Sequence, residues 1–142
     1  MAVRPHEATM PVDDKYHDHM VNALIKEGWQ ITADPMTLYI HGQHMYVDLR
    51  AEKDNQVILV EIKVFEGNLS PVTYLAQSLG QYLLYQVMVG LLRWNIPIYL
   101  AVPEAAYKGI LSKRVASTAL NRLNAKLIVY DPINEVITQW IT

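Results

Sequence analysis

Two charged residues interrupt an apolar segment, and their spacing is the clearest chemical signal in the sequence. Within residues 57–65, Glu61 and Lys63 are the only charged positions among apolar ones. Residues two apart in a strand point to the same face of a sheet. Because an unpaired charge is costly to bury, these side chains must either pair with each other or serve a functional site.

A third ionisable residue, Asp48, lies on the preceding predicted strand, thirteen residues before Glu61. A hairpin would bring Asp48 beside Glu61 and Lys63. Carboxylates from two adjacent strands can hold one Mg²⁺ or Mn²⁺, which are hard cations that prefer oxygen ligands. Such a metal polarises a phosphate and activates water, and Lys63 would orient that water or stabilise developing charge. The pattern predicts metal-assisted phosphodiester hydrolysis with Asp48 and Glu61 as metal ligands.

The same three residues also have a purely structural interpretation. Glu61 and Lys63 would form a buried ion pair, and Asp48 would lie at the end of a strand. Clusters of perturbed charges mark functional sites only statistically, so the pattern alone leaves both interpretations open.

Polar residues on the long predicted helix provide a second signal. Gln81 and Tyr85 are four residues apart and project together, and Tyr74 and Gln77 continue their stripe. Gln can donate to a phosphate oxygen, while Tyr can donate or stack, so this face can position a nucleic-acid backbone. Taken alone, the stripe is more typical of the polar edge of a buried helix.

Histidines give a weaker signal. His17 falls on the apolar stripe of the first predicted helix, where a histidine is usually a core residue. It becomes an accessory site residue if that helix packs beside the strand pair. His41 and His44 flank a turn without a carboxylate at zinc-like spacing, so no zinc site is predicted.

The elements that must position these residues follow from periodicity and breaker residues. Ser70-Pro71 is typical of a helix start, and the apolar run at 57–65 indicates a central strand covered on both faces. Their order predicts a single α/β sandwich. Helices are expected from residue 13 or 14 to 28, at 70–92 and at 113–124, and strands at 29–32, 37–40, 44–50, 57–65, 97–102, 126–130 and 135–140.

Composition narrows the class of protein. The 142 residues fit one domain, with residues 1–13 as an N-terminal arm and 14–142 as the domain. The net charge of −2 argues against tight autonomous binding to duplex DNA. The lack of cysteine excludes disulfides and zinc bound through sulfur. With neither a signal peptide nor a membrane span expected, a cytoplasmic protein is favoured.

Several blocks of the sequence, in this order, resemble one known family. They are His17 with NALIKEGWQIT (22–32), Asp34-Pro35, YVDL (46–49) with Ala51-Glu52, VEIK (60–63), LGQYLLY (79–85) and VYDP (129–132) with Glu135 and Trp140. From about residue 14 onward, the chain resembles the XisH family, the fdxN element excision controlling factor proteins of cyanobacteria. Only the arm of residues 1–13, longer than expected, and the short 53–56 loop depart from the family pattern.

The resemblance implies a PD-(D/E)xK core, that is, a restriction-endonuclease-like α/β fold with a mixed central sheet flanked by helices. The pattern of that superfamily maps onto Asp48 and Glu61-Ile62-Lys63. Gln81-x3-Tyr85 looks like the Q-x3-Y motif of the RecB-like branch, and His17 looks like its first-helix histidine. The implied partners are DNA, an XisI-like small protein and a separate site-specific recombinase, in the excision of a DNA element.

The charged cluster and the resemblance are compatible with two functions. One is a Mg²⁺-dependent endodeoxyribonuclease, or a nuclease-like subunit of one. The other is a catalytically silent accessory module that regulates recombination through a partner protein. A homodimer is also left open, because the C-terminal strand pair with Tyr130 and Trp140 is either an interface or a sheet edge.

Overall fold

A six-stranded mixed sheet forms the centre of the fold in the computed structural model, which describes residues 12–142 and the side chains from Lys15 onward. The helices are α1 (Val12–Lys26), α2 (Pro71–Leu91), α3 (Glu104–Lys108) and α4 (Arg114–Arg122), with a 3₁₀ turn at Ile110–Ser112. The strands are β1 (Gln30–Ala33), β2 (Met36–Ile40), β3 (Gln43–Val47), β4 (Leu49–Lys53), β5 (Gln56–Ile62), β6 (Ile98–Pro103), β7 (Lys126–Asp131) and β8 (Val136–Ile141).

The central sheet has the strand order β1-β4-β5-β6-β7-β8 and separates two cores. Strands β5, β6 and β7 are parallel, and the other pairs are antiparallel. Leu59 and Leu100 face the core that contains α2 and α4, whereas Val60 and Ile128 face the core that contains α1. The mixed sheet and its flanking helices confirm the predicted α/β class.

A tight hairpin sets the register on which the charged cluster depends. Asp54 and Asn55 both have positive φ angles, 49° and 66°, as a two-residue type I′ turn requires. The turn pairs β4 with β5 so that Leu49 lies opposite Val60. Residue 48 is consequently held beside residue 61, one step further along the ladder.

The N-terminus of α2 follows β5 after an eight-residue connection, and its start was predicted correctly. Ser70 caps the helix by accepting a hydrogen bond from the Thr73 amide, and Pro71 occupies the first turn. In the connection, Gly67 has a φ of +139°, and a Cβ there would lie 2.1 Å from the Tyr74 hydroxyl oxygen. The φ angle favours glycine at this position whatever the space, because L side chains rarely adopt it.

Two predicted strands differ from the observed ones. The strand expected at 44–50 is two strands, β3 and β4, separated by a bend at Asp48. Strands β2 and β3 form a separate two-stranded sheet. The strand expected at 57–65 ends at Ile62, and the short helix α3 with the 3₁₀ turn was not predicted.

The C-terminal strand pair, β7 and β8, lies at one side of the central sheet. Strand β8 is the edge of the central sheet. Tyr130 is fully buried, and the Trp140 ring packs against Trp29 and Tyr99. The Tyr130 side chain is therefore used inside the domain, and the pair lies at a sheet edge, which was one of the two alternatives left open.

The predicted N-terminal arm falls mainly on residues 1–11, which lie outside the described residues. None of the helices within residues 12–142 combines the length and the apolar character needed to cross a bilayer.

Candidate active site

The two carboxylates predicted as a pair lie side by side and bond to each other's strand. The backbone amide of Asp48 donates to Oε1 of Glu61 at 3.1 Å. In return, the amide of Ile62 donates to Oδ2 of Asp48 at 2.8 Å. The two bonds lie where the backbone bends at Asp48. They stabilise this bend and hold both carboxylates at one place.

Lys63 joins this pair from the end of β5. Its Nζ lies 3.4 Å from Oε2 of Glu61. The Lys63 side chain is about one quarter exposed, whereas the Glu61 residue is only 5 % exposed. The structure thus brings together Asp48, Glu61 and Lys63, with the lysine between the buried carboxylate and solvent.

Tyr85 links the helix α2 to this cluster. Its hydroxyl lies 2.9 Å from the carbonyl oxygen of Tyr46 and 3.3 Å from Oε2 of Glu61. Burial, followed by the nearby Glu61 carboxylate, raises the pKa of the Tyr85 phenol, so it remains a hydrogen-bond donor. The hydroxyl therefore holds both the end of β3 and the Glu61 carboxylate in place.

Gln81 lies one turn before Tyr85 on the same helix, and its side chain is only partly exposed. The Oε1 atom of Gln81 is buried and has no hydrogen-bond partner among the described residues. Tyr74 and Gln77, which continue this stripe, line a cavity of about 170 Å³ together with Lys63 and Glu66. The predicted polar face of α2 is thus directed toward Lys63 along its first half.

The environment of Glu61 opposes its ionisation. Burial is the main cause, the neighbouring Asp48 carboxylate adds to it, and Lys63 acts in the opposite direction. Together they raise the pKa of Glu61 from its ordinary 4.5 to about 7. A carboxyl group that titrates near neutrality beside a second carboxylate can exchange its proton for another cation.

Two carboxylates supply part of a metal's coordination shell. Among the residues that the structure describes, no cluster of three or more His, Asp or Glu side chains could enclose a metal ion. Mg²⁺ is normally held by one or two carboxylates together with water and substrate phosphate. The donor set of Asp48 and Glu61 therefore fits Mg²⁺ or Mn²⁺, and it does not fit a zinc site.

His17 does not join the three charged residues. Its Nε2 lies 2.9 Å from Oδ2 of Asp34, in the connection between β1 and β2. Asp34 precedes Pro35 in a cis peptide bond. Within the described residues, His17 thus attaches α1 to this turn, and any accessory role acts through the position of α1.

Sequence reasoning missed one residue near the cluster. Tyr130 is fully buried on the α1 side of the sheet, and its hydroxyl has no partner among the described residues. Burial is the main cause that raises the pKa of Tyr130, and the charges of Tyr16 and Asp48 add to it. The available signal was a tyrosine at the end of an apolar predicted strand, since a phenol that becomes buried normally finds a partner.

Replacement of Tyr85 by phenylalanine is expected to lower the free energy of unfolding by about 1–2 kcal/mol. The change leaves the Tyr46 carbonyl and one oxygen of Glu61 without this donor. Urea denaturation followed by circular dichroism measures the difference. Tyr39→Phe is a matched control, since that side chain is 55 % exposed. An equal loss in both variants would contradict the assigned role of the Tyr85 hydroxyl.

Comparison with known proteins gives a consistent result. A family model described as XisH protein matches residues 10–138. The chain is similar to the crystal structure of an fdxN element excision controlling factor protein from Anabaena variabilis, with 34 % identity and a TM-score of 0.86, over 91 % of this chain and 99 % of that chain. It is also similar to an XisH family protein from Nostoc punctiforme PCC 73102, with 32 % identity and a TM-score of 0.86, over 91 % of this chain and 100 % of that one. No curated protein matches the chain.

Proposed function

The chain belongs to the XisH family, and from that premise we propose that it is a DNA-element excision controlling factor that hydrolyses phosphodiester bonds in DNA with Mg²⁺ or Mn²⁺. We also propose that its sheet and helices form a restriction-endonuclease-like PD-(D/E)xK core. In this core, Asp48 and Glu61-Ile62-Lys63 are the signature residues, and Gln81-x3-Tyr85 is the helix motif.

One observation carries the proposal. Asp48 and Glu61 are held together by reciprocal bonds to backbone amides, and Lys63 lies against Glu61. The arrangement keeps two like charges adjacent and raises the pKa of Glu61, which is unfavourable for stability. Such a cost is typical of a site built for charge chemistry.

Each residue then has a definite role. Asp48 and Glu61 would hold the divalent cation, and their backbone bonds fix the directions of their oxygens. When bound, this cation polarises the phosphate and lowers the pKa of a coordinated water. Lys63 orients the attacking water and offsets the charge that develops on the phosphate. Tyr85 holds Glu61 in place, and Gln81, one turn earlier on α2, would position the DNA by donating its side-chain amide to a phosphate oxygen.

The decisive experiment is a cleavage assay on DNA with Mg²⁺ or Mn²⁺. The unaltered protein is expected to nick or cut, and Glu61→Ala and Lys63→Ala are each expected to reduce the rate at least ~100-fold. Single-stranded, duplex and branched DNA are tested separately, alone and with an XisI-like small protein. Equal activity of the unaltered protein, Glu61→Ala and Lys63→Ala would identify a contaminating nuclease and reject the proposal.

A second function is favoured by the Glu61–Lys63 ion pair. If this pair and the backbone bonds of Asp48 serve only the fold, the chain is an accessory module that controls a separate site-specific recombinase through a partner protein. Such a module would show no cleavage under any condition. Its Glu61→Ala variant would lose stability, and recombination would then fall only as far as the amount of folded protein falls.

A further inference from the structure

Helix α2 has an unusual outer face for a helix that borders solvent. Its 21 residues contain no Asp, Glu, Lys or Arg. One side of the helix is buried in the core, and the opposite side exposes five large apolar side chains, each between 46 and 68 % exposed: Val72, Leu83, Leu84, Val87 and Leu91. Surface helices normally carry charges on this side.

The exposed residues form a continuous seam, which we call the α2 seam. Its central line is Ala76, Gly80, Leu83, Val87 and Gly90, at intervals of four, three, four and three residues. This alternation is the spacing by which one helix packs along another. Val72, Leu84 and Leu91 flank this line and belong to the seam as well. A Cβ added at Gly80 or Gly90 would meet nothing within 4 Å, so the small residues leave shallow depressions between the Leu and Val side chains.

The size and charge of the α2 seam favour a second copy of this chain as the occupant. The five large side chains expose on the order of 500 Å² of apolar surface, near the upper limit for a patch on a monomer. Two copies that cover each other's seam bury about 1,000 Å², the threshold for a specific interface. Because the seam carries no charge, two identical faces meet without like-charge repulsion, as a symmetric interface requires.

We propose that the α2 seam is the interface of a homodimer with twofold symmetry, in which the two α2 helices pack against each other near Leu83 and Leu84. This proposal does not depend on the nuclease function, because the polar side of α2 with Tyr85 faces the core of its own chain. The midpoint of the seam lies close to the twofold axis, so Leu84 of one copy lies near Leu84 of the other.

Sedimentation velocity over a concentration series tests the proposal with the full chain. The unaltered protein is expected to be a dimer at micromolar concentrations. Leu84→Glu is expected to raise the dimer dissociation constant at least ~100-fold, since it places like charges opposite each other. Val115→Glu on α4, where Val115 is 78 % exposed, is expected to leave the constant unchanged. Thermal melts followed by circular dichroism verify that both variants fold.

Cysteine cross-linking gives an independent readout, since the chain has no cysteine of its own. Leu84→Cys is expected to form a disulfide-linked dimer on mild oxidation, and Val115→Cys is expected to remain a monomer on a non-reducing gel. A monomer at every concentration for the unaltered protein would overturn the proposal. Equal cross-linking of the two cysteine variants would overturn it as well.

Discussion

At about pH 8 and without divalent cations, the Glu61→Gln variant is expected to be more stable than the unaltered protein by about 3 kcal/mol. Glutamine keeps an oxygen that can accept from the Asp48 amide, and it removes the buried negative charge. The raised pKa of Glu61, about 7, means that the unaltered fold must ionise a carboxyl group that burial and Asp48 disfavour. The Glu61→Gln variant has no carboxyl group at this position, so its folded state does not require the free energy of ionising one.

The pH dependence of this difference follows from proton binding. Below about pH 4.5, Glu61 is protonated in both the folded and the unfolded protein, so ionisation does not separate the two variants. Between about pH 4.5 and pH 7, the unfolded chain loses the proton while the folded chain retains it. The stability of the unaltered protein therefore falls with rising pH across this window, and above it the difference is constant.

Urea denaturation from about pH 4 to pH 9 measures the effect, with Glu104→Gln as the control. Glu104 pairs with Lys108 on the short helix α3, far along the chain from the site, so its replacement should leave the pH dependence unchanged. A Glu61→Gln variant that is less stable than the unaltered protein at every pH would show that the bonds to the carboxylate outweigh its burial. Mg²⁺ or Mn²⁺ is expected to stabilise only the unaltered protein and the control.

The cluster was predictable because two strong local signals determine it. Charges at 61 and 63 in an apolar strand must share one face, and a short polar segment at 53–56 must turn the chain back. The observed Asp54-Asn55 turn realises this hairpin. The start of α2 at Ser70-Pro71 was equally local, because capping depends on a few adjacent residues.

The parts that sequence reasoning missed depend on distant contacts. Nothing near Asp48 indicates a break in the strand, because the break is stabilised by the amide of Ile62 and the carboxylate of Glu61. The bond from Tyr85 to the Tyr46 carbonyl spans 39 residues and joins a helix to a separate small sheet. Such features are set by tertiary packing and not by propensity.

His17 illustrates a related limit. Its place on an apolar stripe left open whether the first helix packs beside the strand pair. In the structure α1 packs against the sheet, where Met20 and Leu24 are fully buried. The partner of His17 is Asp34, in a turn whose direction depends on how β1 leaves the sheet. Periodicity gives the buried side of a helix, but it does not give the loop that meets it.

The last prediction separates metal binding from chemistry at the site. Asp48→Asn is expected to weaken Mn²⁺ binding at least ~10-fold and to abolish cleavage with it, because a charged ligand becomes a neutral amide. Its amide oxygen can still accept from Ile62, so the fold is retained. Lys63→Met is expected to keep or strengthen Mn²⁺ binding, since it removes a cation that lies 3.4 Å from the Glu61 carboxylate.

The Lys63→Met protein is nevertheless expected to cleave DNA ~100- to 1,000-fold more slowly, because the water and the developing charge lose their partner. Isothermal titration with Mn²⁺ and single-turnover cleavage measure the two quantities, and Lys113→Met, at an exposed position, is the control. Cleavage by Lys63→Met at the unaltered rate would remove Lys63 from the mechanism. Weaker Mn²⁺ binding in Lys63→Met than in Asp48→Asn would show that Lys63 orders the carboxylates and does not act on the phosphate.

A site in which Asp48 affects Mn²⁺ binding and Lys63 affects the cleavage rate is specific to hydrolysis. An ion pair that serves only the fold predicts a different result: its loss lowers the stability, and no activity depends on these side chains.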